Sequence, residues 1–108
     1  YHAARQTCTR YKPRGMPLGV AGASDEYTIE HAVLAPQDIV LLYTDGVTDA
    51  TDLRDQPFGL ELLQAAVSQS EATSAQALCD EIWQVVAAHQ GAAPQFDDFT
   101  MVVVQSHR

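Results

Sequence analysis

The sequence predicts an α+β fold, with antiparallel β-strands and two packed α-helices. Three observations predict it. The run Ile39-Val40-Leu41-Leu42-Tyr43-Thr44 is continuously apolar up to its threonine and stops at Asp45-Gly46, the signature of a strand buried on both faces. The closing segment Gln95-Phe96-Asp97-Asp98-Phe99-Thr100-Met101-Val102-Val103-Val104 is strongly β-branched, a second strand signal. Between them lie two stretches whose apolar residues recur at helical spacing.

The totals bound what such a chain can be. With 108 residues it supports one small domain, and 46% hydrophobic content fits a globular chain rather than a disordered one. No apolar run approaches the roughly 20 residues that span a bilayer, so no membrane span is expected. The chain opens on Tyr1 without a signal-peptide pattern and reads as a piece of something longer. Net charge is −8, and four of the six basic residues (Arg5, Arg10, Lys12, Arg14) precede all fourteen acids. That balance opposes nucleic acid and anionic membrane surfaces as partners. Cys8 and Cys79 form no CxxC unit, which argues against a zinc site or a disulfide scaffold. Reduced thiols and a cytoplasmic location are the resulting expectation.

Taken in order, Thr7, Thr9 and Tyr11 alternate, so a strand is expected around Thr7–Tyr11, broken by Pro13-Arg14-Gly15-Met16-Pro17. Leu18-Gly19-Val20-Ala21-Gly22 reads as a glycine-rich loop and lacks the lysine and hydroxyl of a P-loop. Tyr27, Ile29, His31 and Val33 alternate with Thr28, Glu30, Ala32 and Leu34, which predicts a strand. His31 there is better read as a half-exposed strand histidine than as a ligand. Ala35-Pro36-Gln37-Asp38 is expected to form a type I turn that pairs strands 27–34 and 39–44 as a hairpin. The acid-rich stretch from Val47 to Pro57 lacks periodicity and reads as a loop; its spacing fails the EF-hand pattern. Leu60, Leu63, Ala66 and Val67 form one helical stripe ending near Ser70. Thr73-Ser74-Ala75-Gln76 offers a capping box for a second helix. Its stripe of Ala75, Leu78, Cys79, Ile82, Val85, Val86 and His89 ends at Gln90-Gly91, with Trp83 beside it as a packing anchor.

Two aspartate positions share a setting. Asp45 ends one strand, and Asp97-Asp98 opens the other. If the strands are antiparallel neighbours, these carboxylates converge at one sheet edge. Converging like charges need a cation to offset them, and hard oxygen donors favour magnesium or manganese over zinc. A plain turn remains open for both, since Asp-Gly is a common turn dipeptide and Asp97-Asp98 also suits a turn entry.

The stretches Leu41-Leu42-Tyr43-Thr44-Asp45-Gly46-Val47-Thr48-Asp49-Ala50, Phe58-Gly59 and Phe96-Asp97-Asp98-Phe99-Thr100-Met101-Val102-Val103 resemble the metal-dependent protein phosphatase (PPM, type-2C-like) family. The bacterial SpoIIE/RsbU-like branch is nearest, and Gly15-Met16-Pro17-Leu18-Gly19 resembles its G-x-P-L-G stretch. The resemblance covers essentially the whole chain. Haloacid-dehalogenase-type enzymes are excluded because Tyr43 stands where their nucleophilic aspartate would be.

The resemblance implies an α-β-β-α sandwich and hydrolysis of phosphoserine or phosphothreonine proteins by a metal-activated water at a two-metal manganese or magnesium centre. It implies Asp45, Asp97 and, at a more variable position, Asp98 as metal ligands, with Gly46 adjacent to the site and no catalytic residue beyond the ligands. A phosphorylated regulatory protein, such as an anti-anti-sigma factor, is the implied substrate in bacterial signalling, with a sensor domain upstream. The family's earlier D-x-x-G-H-G motif is absent, so residues 1–108 are expected to be the C-terminal portion of one catalytic domain that supplies only part of the centre. Alone, the piece is expected to be inactive and to oligomerise or swap strands through the faces of Val40, Leu42, Val102 and Val104. The alternative is a non-catalytic regulatory or interaction module derived from the same fold.

Overall fold

Two strands, β1 (Ile39–Tyr43) and β2 (Met101–Gln105), pair antiparallel in a computed structural model that describes residues 1–12, 19, 27–95 and 97–107. Their register opposes Val40 to Val104, Leu41 to Val103 and Tyr43 to Met101. Between the strands run α1 (Asp45–Thr48), α2 (Gly59–Gln69) and α3 (Ala75–Gln90). The architecture is mixed α+β, as the sequence predicts.

Period-two alternation divides the two strands into an inner and an outer face. Ile39, Leu41, Tyr43, Met101 and Val103 pack against the core formed by Val47, Phe58, Leu63, Val67, Leu78, Ile82 and Val86. On the opposite face Leu42 and Val102 are more than half exposed, and Val104 is nearly so. The expected burial of β1 on both faces is therefore corrected, because among the described residues helices cover only one side.

The predicted hairpin is also corrected. Residues 27–34 form no strand, and Ile29 and Val33 are exposed at 78% and 91%. Alternation makes a strand only where an edge and a core face receive it. One edge of β1 belongs to β2. On the other, Tyr1 exchanges both backbone bonds with Ile39, the terminal amine donating at 2.8 Å and the Ile39 N–H donating back at 3.0 Å. The turn before β1 contributes as well. Gln37 has φ of 68°, and Asp38 N–H donates to Ala35 O at 3.1 Å, so the positive φ follows type II rather than the expected type I. Type II turns splay flanking strands instead of pairing them.

The segment around Thr7–Tyr11 forms only a single bridge, Thr7 to His2, rather than a strand. The breaker at 13–17 and nearly all of the glycine-rich stretch at 18–22 lie outside the described residues.

The helices follow their stripes. In α2, Leu63 and Val67 are buried; in α3, Leu78, Ile82 and Val86 are. Val85 and Trp83, at 44% and 47% exposed, fall at the stripe's margin. The cap of α3 is Ser74, not Thr73: its Oγ accepts from Ala77 N–H at 3.1 Å. Ala77 stands where a capping box needs Glu or Gln, so the reciprocal half of the box is absent. Gly91, at φ of 56°, stops the helix by donating to Ala87 O. Cys8 and Cys79 are free and half-buried.

Candidate metal and substrate site

The stretch after Gly46, expected as a loop throughout, begins with one helical turn. Asp45–Thr48 forms α1, and Val47, its apolar residue, is fully buried against α2 and the sheet. The remainder closes through a bridge between Thr51 and Pro57. Asp52 organises that loop: its Oδ1 accepts from Arg54 N–H at 2.8 Å and Gln56 N–H at 3.0 Å. The Gln56 and then the Arg54 amide hold this carboxyl below its ordinary range. From the end of α3, His89 Nε2 lies 2.9 Å from Gln56 O, while its ring meets Phe58 edge-on.

Thr44 joins the two aspartate segments. Its N–H donates to Thr100 O at 3.0 Å, and its hydroxyl donates to Asp98 O at 3.1 Å while accepting from Thr100 N–H at 3.2 Å. Two residues later, Gly46 is buried against the same backbone: a Cβ there would stand 2.0 Å from Asp98 O. Only glycine allows that approach. Sequence reasoning gave Thr44 no role beyond ending the strand. The signal was a hydroxyl residue directly before an Asp-Gly at a strand terminus.

The antiparallel neighbourhood on which convergence depends is present, and the Asp45-Gly46 and Asp97-Asp98 segments lie against each other. Asp45, Asp97 and Asp98 are all exposed. Asp97 Oδ1 accepts from the next residue's N–H at 2.7 Å, and its carbonyl accepts from Gln95 Nε2 at 2.9 Å. Beside Gly46 opens a cleft of ≈ 310 Å³ lined by Asp49, Thr51, Trp83, Gln90, Gln95 and Asp97. Trp83 forms one wall, meeting Phe99 in a T-shaped contact at 4.8 Å between ring centroids.

A second carboxylate, unnoticed in the sequence, is structural. Asp38 is 2% exposed and ties three parts of the chain together. It accepts from Ala3 N–H at 2.9 Å and from Ala35 N–H at 3.0 Å, and its Oδ2 lies 3.5 Å from His2 Nδ1. The Ala3 and Ala35 amides, with a smaller contribution from His2, hold its carboxyl below the ordinary range against the opposing effect of desolvation. His31 lies exposed in the segment that fails to form a strand.

Residues 1–107 match the protein family described as Stage II sporulation protein E (SpoIIE). The chain belongs to the SpoIIE family. That places it among the PPM-type phosphatases, as the motif resemblance implies. Protein IcfG of Synechocystis sp. is a relative, 33% identical over 95 residues. The match takes in 88% of this chain but only 15% of IcfG, so the chain corresponds to a small part of that protein. No solved structure gives a significant match.

SpoIIE-family membership implies metal dependence in general. Among the described residues, however, no group of three or more His, Cys, Asp or Glu side chains could hold a metal ion. No helix among the described residues is long and apolar enough to cross a membrane.

Proposed function

We propose that this chain is part of a metal-dependent phosphoserine/phosphothreonine protein phosphatase. Asp45 and Asp97, with Asp98 as a weaker contributor, donate carboxylates to a manganese or magnesium centre that groups beyond the described residues complete. The observation that carries this reading is the seating of Gly46 on the Asp98 carbonyl, clasped by Thr44. A close glycine contact at that point holds two exposed acidic segments together where a sheet edge opens onto a cleft. A structural turn needs neither the second acidic segment nor the cleft. The substrate is a phosphorylated regulatory protein, of which an anti-anti-sigma factor is the type, acted on in the cytoplasm under the control of an upstream sensor domain.

The test is Asp45→Asn in the full-length protein. Manganese-dependent phosphate release from a phosphothreonine peptide should vanish while the thermal unfolding midpoint stays close to that of the parent. Retained turnover would remove Asp45 from the centre. A second reading, a non-catalytic interaction module, draws on the lack of a three-ligand cluster among the described residues. The full-length protein decides between them: no phosphate release with either metal favours the module.

A further inference from the structure

The geometry points to the cleft beside Gly46 as the docking site for the substrate's polypeptide, an extended segment flanking the phosphorylated residue and carrying an apolar side chain and a Lys or Arg. This inference rests on the phosphatase reading above and adds to it which protein sequences the site accepts.

Three observations carry it. The cleft lies where the chemistry would require it, with Gly46 and Asp97 on its wall, so a peptide held there presents its phosphorylated residue to the acidic segments. Its size, ≈ 310 Å³, falls at the lower end of the roughly 300–1,000 Å³ of ligand pockets and suits a few side chains rather than a whole cofactor.

Its lining is selective. Trp83 stands nearly half exposed on α3 although Ile82 and Val86 beside it are fully covered, and the edge-on contact with Phe99 fixes its ring. An immobilised, accessible tryptophan is the residue type most often found anchoring a partner. The charged side chains among the described lining residues are Asp49 and Asp97, both acidic, and the chain carries −8 overall. Asp49 follows α1 directly, so it stays on the wall whatever Asp97 ligates. Complementarity with such a wall selects a cationic segment and rejects an acidic one.

The test is binding to the full-length protein in the presence of chelator, read by fluorescence anisotropy. The probes are two labelled peptides of equal length, each with one leucine and one phosphothreonine, flanked by arginines in one and by glutamates in the other. The arginine peptide should bind at least about tenfold more tightly. Trp83→Ala should weaken it about fivefold or more, with Trp83→Phe restoring most of the loss, a rescue that an indirect folding defect would not show. Asp49→Asn, an exposed change that leaves the core intact, should narrow the preference for the arginine peptide. Equal affinity of the two peptides overturns the proposal, as does a folded Trp83→Ala protein with unchanged affinity. Phosphate release from both peptides with manganese is followed in parallel. Release without discrimination in binding sinks the docking site alone, whereas discrimination without release sinks the phosphatase reading alone.

Discussion

Gly46→Ala is the substitution on which local propensity and tertiary packing disagree most sharply. Gly46 lies in α1, and alanine is favoured over glycine in a helix interior by roughly 0.5–1 kcal/mol. A Cβ at this position would stand 2.0 Å from Asp98 O, 2.7 Å from its carbonyl carbon and 3.3 Å from Phe99 N. All three atoms are backbone, so no side-chain rotation relieves the contact. Restoring a tolerable separation means moving Asp98 by about 1 Å, since real Cβ contacts essentially never fall below 3.0 Å. That movement stretches the 3.1 Å bond from the Thr44 hydroxyl past useful length. Overpacking costs about 1–3 kcal/mol and a lost hydrogen bond about 1 kcal/mol. The net destabilisation should be about 2–3 kcal/mol, which for a domain of this size lowers the unfolding midpoint by roughly 10–20 °C. Thermal unfolding followed by circular dichroism measures it. Gly59→Ala is the comparison: φ is 79° there, but nothing lies within 4 Å, so only backbone strain of about 1–2 kcal/mol applies. A Gly46→Ala protein as stable as its parent, or more stable than Gly59→Ala, would refute the close approach of the two acidic segments.

Other perturbations separate support from chemistry. Ser74→Ala removes the α3 cap and should cost about 1 kcal/mol in denaturant unfolding, with phosphate release per folded molecule unchanged. Thr44→Val should cost a similar amount, about 1 kcal/mol, yet also reduce phosphate release, because it removes the hydroxyl's bonds to Asp98 O and Thr100 N–H and leaves only the backbone bond to Thr100 O. Asp38 has its carboxyl lowered in the folded state, so its contribution to stability is complete above the unfolded value, about pH 4, and disappears as pH falls through the folded value. Asp38→Asn should therefore lower the unfolding midpoint at pH 7 and flatten its decline in acid. An unaltered acid limb in this variant would show that the Ala3 and Ala35 amides do not bind the carboxylate.

Much of the fold was legible because burial and sequence period agree where a core exists. Leu63 and Val67 on α2, and Leu78, Ile82 and Val86 on α3, stand where helical spacing puts them. The β1–β2 pair was expected only conditionally, since neither run names its partner. Residues 27–34 show the limit of pattern reading: their alternation is strand-like, but the type II turn at Gln37 and the Tyr1 contact with Ile39 direct the chain elsewhere. Ser74 displaced Thr73 as the cap by one residue, a distinction that depends on backbone angles. In the candidate site, Asp45 and Asp97-Asp98 could be picked out as carboxylates at strand ends. Thr44 shows in the sequence only as a hydroxyl residue before Asp-Gly, because its partners lie more than fifty positions away. Asp38 was hidden for a similar reason, as a lone acid beside a turn acquires its partners only when the N-terminal segment folds back over it.

The central claim is that Asp45 and Asp97 serve a metal-dependent hydrolysis of phosphoproteins. Its most direct measurement is phosphate release from a phosphothreonine peptide by the full-length protein with manganese, after chelation, and after manganese is restored. The account predicts turnover that falls to background in chelator and returns with the metal. Turnover that persists unchanged in chelator would contradict it.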